Sequence, residues 1–210
     1  MIVLTADQRG STGARDRVPR ALEVLAELAA GRAGVVLPFD RTVGDEVQGL
    51  LAATPDGARL AVDLTLALLR EDGWSVGLGV GEVDEPLPAA SREAAGQAYV
   101  LARRAVGRAK GQPGTWGVAV EADDATAAEE VQALLRLVGI VAARRTGPGW
   151  QAVDALRSGG SQKAAAAALG ITVQAVSQRL RAASWAEEAA ARPVVVRLLA
   201  RLAGATDRPR

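Results

Sequence analysis

Two short loops carry side chains that could act on phosphate. In Ala6-Asp7-Gln8-Arg9-Gly10-Ser11-Thr12 a carboxylate and an arginine precede a Gly-Ser-Thr turn, directly after an apolar run that reads as a strand. In Arg41-Thr42-Val43-Gly44-Asp45-Glu46 a second carboxylate sits in a hairpin turn. Brought together, Asp7 and Asp45 form an oxygen donor set suited to divalent ions that hold a polyphosphate. The backbone N–H groups of Gly10, Ser11 and Thr12 would cradle the phosphates. Taken singly, each loop is also an ordinary turn, because Asp and Gly are common turn residues.

A second chemistry lies in Gln162–Ala183, QKAAAAALGITVQAVSQRLRAA. It reads as helix, tight turn, helix. Ala166 is small where two helices cross, Gly170 supplies the positive φ of the turn, Ile171 fills the core and Thr172 caps the next helix. Val176 and Leu180, four apart, make the buried stripe. Gln174, Ser177, Gln178 and Arg181 are left on the opposite face, with Gln162, Thr172 and Arg179 beside them. Amides, hydroxyls and guanidinium groups are what reach base edges and phosphates in a major groove. Trp150, Val153 and Leu156 supply a supporting helix in front.

Composition removes several alternatives. The chain of 210 residues has no histidine and no cysteine, so imidazole bases, thiol nucleophiles, disulfides and His- or Cys-ligated metals are excluded. A metal would sit on oxygen ligands, which favours magnesium, calcium or manganese. Only six residues are Phe, Trp or Tyr, so Ala, Val and Leu must build the core. Lys110 and Lys163 are the two lysines among 25 basic residues. Residues 1–145 carry 16 basic and 20 acidic side chains, whereas residues 146–210 carry 9 and 4. An acidic body with a basic tail is a hint of nucleic acid. The opening strand is too short and too lightly charged for a signal peptide, and no apolar run approaches the roughly 20 residues that span a bilayer. The expected location is cytoplasmic, with no membrane partner.

The elements that must position these groups follow from periodicity. Strands are expected at Ile2–Ala6, Val35–Leu37, Val47–Leu51, Trp74–Val80 and around Trp116–Val120, and helices from Val18, from near Asp56 and over 94–109. That order, βαββαβ followed by αβ, predicts an α+β fold with a ferredoxin-like body. A helix over 125–143 leads out, and Thr146-Gly147-Pro148-Gly149 marks a boundary. The expected domains are residues 1–122, a connecting helix in 123–146, and an all-α helix-turn-helix domain over 147–210. Two terminal helices, Ser184–Arg192 and Pro193–Ala203, are expected to separate at Pro193.

Both motifs bear a family resemblance. The Asp7–Thr12 loop, the Arg41–Asp45 hairpin and Gly96, Ala102 and Arg104 in EAAGQAYVLARRA resemble class III nucleotidyl cyclase catalytic domains over residues 1–120. This resemblance implies metal-ligand roles for Asp7 and Asp45, places Arg41 where that family has a base-reading lysine, and puts Glu93 near the second base-reading position. The family's ribose-orienting asparagine falls on Val100, which offers no hydrogen bond, and Gln8 and Arg9 replace apolar residues. Arg9 would bind phosphate directly or take the place of a metal. The 162–183 segment resembles the helix-turn-helix of sigma-factor region 4 and LuxR-like regulators. Taken whole, with TADQRGS, GDEVQGLL, VGLGVGEV and AVSQRLRAA, the chain resembles actinobacterial relatives of the SatD family.

The leading expectation is a homodimeric transcriptional regulator. It would bind double-stranded DNA through its tail and sense a purine nucleotide or related phosphate ligand, with magnesium or manganese, through its body. The nucleotide or phosphate contacts would be Arg9, Gly10, Ser11, Thr12, Arg41, Glu93 and Arg104. A cyclase with a DNA-binding tail is the second reading, and Val100 argues against it, since losing a transition-state contact lowers turnover more than binding. A scaffold with a vestigial pocket is the third.

Overall fold

The computed structural model describes residues 1–11, 15–112 and 117–204. Among them are five strands in one mixed sheet and eight α-helices, an α+β chain. The chain divides into two compact units, residues 1–136 with 193–210, and residues 137–192. The division falls inside two helices, α4 (Ala125–Ala143) and α8 (Trp185–Leu202), and not at the Thr146–Gly149 stretch.

In the first unit the sheet order is β2-β3-β1-β4-β5, with β1 (Ile2–Gln8) at the centre, β2 (Val35–Arg41) and β3 (Glu46–Leu51) on one side, and β4 (Trp74–Val80) and β5 (Gly117–Glu121) on the other. β1 pairs antiparallel with both β3 and β4, β2 pairs antiparallel with β3, and β5 runs parallel to β4. Every residue of β1 and β4 is buried. This is why β1 reads as a continuous apolar run instead of an alternating one. Trp116, expected in the fifth strand, lies outside the described residues.

Side chains alternate across the sheet. Val3 and Leu50 pack with Ala98 and Ala102 of α3 (Gln97–Lys110), which covers one face. The register Val3↔Gly79 and Thr5↔Gly77 puts both glycines under that helix. A Cβ at Gly77 would lie 2.3 Å from the Val106 backbone nitrogen, and one at Gly79 would lie 2.2 Å from that of Ala102. Helix and sheet therefore approach at backbone distance, and the small side chains Ala98, Ala102 and Ala105 complete the fit. The alternate residues Ile2, Leu4 and Ala6 point to the face taken by α1 (Val18–Ala29) and α2 (Pro55–Arg70). Thr54 caps α2 by accepting from the Gly57 N–H at 3.1 Å, with Pro55 in the first turn.

The second unit contains α5 (Gly147–Gly159), α6 (Gln162–Leu169) and α7 (Val173–Ala182). Their shared core is Ala152, Val153, Ala165, Ala166, Val176, Leu180 and Ala183, with Leu156, Ile171 and Trp185 against it. Thr146, Ser161 and Thr172 cap the three helices through their hydroxyls. Gly170, at φ +64°, makes the left-handed turn between α6 and α7.

The helix expected over 94–109 is present as α3, which starts at Gln97, after a 3-10 turn at Ser91–Glu93 and Gly96, whose φ is +121°. A Cβ at Gly96 would lie 2.6 Å from Val83 Cα, so the chain turns sharply against the loop after β4 before the helix begins. One expectation is corrected: the terminal helices do not separate at Pro193, because α8 runs through it. Proline costs an interior helix a hydrogen bond, but burial of Val195, Val196, Leu199 and Ala200 beyond it outweighs that loss.

Candidate functional site

The end of β1 meets the β2–β3 hairpin, because antiparallel register sets Asp7 opposite Glu46. The Gln8 N–H donates to the Asp45 carbonyl at 3.2 Å, which fixes the hairpin against the strand end. Asp7 and Asp45 thus share one corner of the sheet, and the charge of Asp45 acts on Asp7. The Asp7 side chain is only 11% exposed, and Lys110 Nζ, at the last residue of α3, lies 2.7 Å from its Oδ2. Burial pushes the Asp7 carboxyl above the ordinary aspartate range. The Lys110 hydrogen bond and charge oppose that push, and Asp45 adds to it.

Asp7 therefore holds its proton more tightly folded than unfolded. Its contribution to stability is fully present below the ordinary aspartate value and is lost as pH rises through the raised folded value. Asp7→Asn is expected to melt no lower than the wild type at neutral pH, and to lose this part of the pH dependence. Lys110, 49% exposed, stays hydrated in that variant. Thermal melts from pH 3 to pH 8 check this, and a clear drop in melting temperature at pH 7 would count against it.

The other predicted phosphate contacts spread around this corner. Arg9 Nε donates to Ser75 Oγ at 2.9 Å, and its guanidinium lies over Gly117, where a Cβ would come within 1.9 Å of Nη2. Gly10 takes φ +62°, and Ser11 is half-buried beside it. Thr12 lies outside the described residues. Arg41 is tied to its own hairpin: Nε donates to the Gly44 carbonyl at 2.7 Å and Nη1 meets Asp16 Oδ2 at 2.9 Å.

Beside the corner opens a cleft of about 510 Å³ between the hairpin and α3. Thr42, Val43 and Gln48 form one wall, and Gly96, Tyr99, Val100, Arg103 and Arg104 form the other. Arg104 lines the cleft, whereas Glu93, exposed on the 3-10 turn, is not in the lining. Its neighbour Arg92 is, ion-paired to Asp40. Three arginines and no carboxylate line this cleft, which suits an anion carrying an apolar or aromatic portion. Val100, 53% exposed, faces the cleft with no polar group. Burial raises the Tyr99 phenol above its ordinary value, opposed by the Ser91 hydroxyl.

Lys110, Arg103, Gln48 and Tyr99 were not assigned to the site from the sequence. One signal for Lys110 was available: it is a lysine in a chain that otherwise uses arginine almost throughout. Asp7 and Asp45 are the donors that a divalent ion would use, and no cluster of three or more acidic donors occurs among the described residues. An ion shared by this pair would compete with the Lys110 ammonium, which already sits on Asp7 Oδ2, so the corner as folded is a poor fit to a resident metal.

In the second unit, Gln174, Gln178 and Arg181 are exposed on α7, and Gln162 is exposed at the start of α6. Thr172 is exposed too, with its hydroxyl accepting from the Ala175 N–H at 3.1 Å. Ser177 and Arg179 are half-buried, and Arg179 Nη1 reaches Gln151 Oε1 of α5 at 3.5 Å. The polar face thus narrows to the first three residues.

These features define a class: an α+β chain with an anion-suited cleft in one unit and a three-helix core with a polar α7 face in the other. Comparison with family models, curated proteins and solved structures gives no match to this chain. No described helix is long and apolar enough to cross a membrane.

Proposed function

We propose that the protein is a DNA-binding transcriptional regulator whose amino-terminal unit senses a purine nucleotide or a related phosphate ligand. The observation that carries this reading is α7. Val176 and Leu180 are buried, Gly170 and the Thr172 cap fix the turn before it, and Gln174, Gln178 and Arg181 stand free of the core. That is the disposition a helix-turn-helix uses to insert its second helix into a major groove. The sheet order β4-β1-β3-β2 supports a ferredoxin-like body of cyclase ancestry. Val100 in the cleft wall favours sensing over cyclisation, because valine cannot hold the ribose. Magnesium or manganese enters this reading only by displacing Lys110 from Asp7. A homodimer would present two α7 helices to a two-fold operator, and ligand would bias their spacing by binding the DNA-competent and incompetent states differently.

Selection from randomised duplexes, followed by fluorescence anisotropy with and without ATP or GTP, tests the reading. Gln178→Ala is expected to cost about 1–3 kcal/mol at the selected site and little on random DNA. Arg181→Ala is expected to weaken both and to reduce the salt slope by about 1 if it meets phosphate. Unchanged affinity in both variants, or no enrichment from the pool, would overturn the assignment.

A further inference from the structure

Phosphate cannot approach the corner of Asp7 and Asp45 until their charge is neutralised. Two like charges close together in a half-buried setting repel an anion. Proteins commonly answer this with a divalent ion. Here Lys110 Nζ already sits 2.7 Å from Asp7 Oδ2.

The placement of Lys110 follows from α3. Arg103, Gly107 and Lys110 fall at i, i+4 and i+7, one stripe of the helix about 10 Å long. Arg103 lines the cleft, and nothing lies within 4 Å of a Cβ at Gly107. Open space therefore lies over Gly107, between the cationic cleft and the lysine. The close helix–sheet contact at Gly77 and Gly79 fixes the height of this stripe above the sheet. On the far side of the corner, Arg9 is held by Ser75.

We propose that Lys110 is the built-in counter-cation of this site. It neutralises Asp7 so that a polyphosphate binds along α3, on Arg103, Arg104 and Lys110, without a divalent ion. The inference rests on the nucleotide-sensing reading and specifies its charge chemistry.

The test uses the full chain, with inorganic triphosphate and ATP titrated calorimetrically in EDTA and in magnesium. The wild type is expected to bind equally well in both buffers, within about threefold. Lys110→Ala is expected to lose about tenfold or more in EDTA and to recover in magnesium, because the freed Asp7 then accepts the metal. Lys110→Arg is expected to keep binding in EDTA, and thermal melts of all variants confirm folding. Manganese binding followed by electron paramagnetic resonance reads the same exchange without nucleotide. Lys110→Ala should bind the ion at least about tenfold more tightly than the wild type, and adding Asp7→Asn should abolish the gain. Wild-type binding that requires magnesium, or Lys110→Ala binding as tightly as the wild type in EDTA, overturns this inference and leaves nucleotide sensing standing. No binding of either anion in either buffer overturns both.

Discussion

Replacing Glu188 with Gln is expected to unfold the 137–192 unit well below the wild-type melting temperature. Glu188 is 1% exposed and gathers three arginines. Arg145, equally buried, pairs with its Oε2, while Arg157 and Arg192 each reach its Oε1 at 3.2 Å. Arg145 also donates from Nε to the Ala183 carbonyl at 2.9 Å and lies over Trp150 at 4.9 Å and Trp185 at 5.9 Å. One glutamate thus ties together the turn after α4, the helices α5 and α8, and, through Arg145, the end of α7. Breaking a buried pair leaves a desolvated charge behind, and the cost is about 3–5 kcal/mol. For a unit this small that corresponds to more than about 10 °C. Amide exchange should quicken over α5 to the start of α8, and under the proposed DNA-binding function affinity for the selected site should fall with it. Removing both buried charges, as Arg145→Met with Glu188→Leu, is expected to cost less than Glu188→Gln alone, because no buried charge is then stranded. If Glu188→Gln melts within a few degrees of the wild type, the cluster is not what holds this unit.

The second large effect is expected at Gly79. A Cβ there would lie 2.2 Å from both the Ala102 nitrogen and the Ala98 oxygen, which are backbone atoms of a buried helix and cannot turn aside. Gly79→Ala must lift α3 off the sheet. Overpacking of this kind costs about 1–3 kcal/mol, and more where no side chain can yield. Because α3 carries Arg103, Arg104 and Lys110, affinity for the proposed polyphosphate ligand should fall together with stability. Gly107→Ala in the same helix is the control: its added methyl meets nothing within 4 Å. It should stabilise by about 0.5–1 kcal/mol through helix propensity alone. Urea midpoints of the two variants moving in the same direction would contradict the close-contact account.

Much of the fold was legible from local pattern, and the candidate site was legible in outline. The run Ile2-Val3-Leu4 and the alternation Trp74 to Val80 place two strands because burial imposes its period on the sequence. Gly170 and Thr172 announce the α6–α7 turn because left-handed φ and an N-cap restrict residue type so strongly. Asp7 and Asp45 were visible as a pair because strand ends and hairpins converge when a sheet forms. Glu188 was not legible. In Trp185-Ala-Glu-Glu-Ala it looks the same as its exposed neighbour Glu187, and only the convergence of Arg145, Arg157 and Arg192 from separate segments makes it central. Nor was the pairing of Arg41 with Asp16, 25 residues away in sequence, legible.

The sequence by itself therefore determined the elements, the caps, the excluded chemistries and the two stretches where chemistry is concentrated. These depend on backbone preference and periodicity, which act within a few residues. Tertiary structure alone decided which charges meet. Lys110 reaches Asp7 only because Gly77 and Gly79 let α3 lie directly on β4 and carry its last turn to the end of β1. Coulomb energy depends on distance in space and on burial, and the linear order of residues specifies neither.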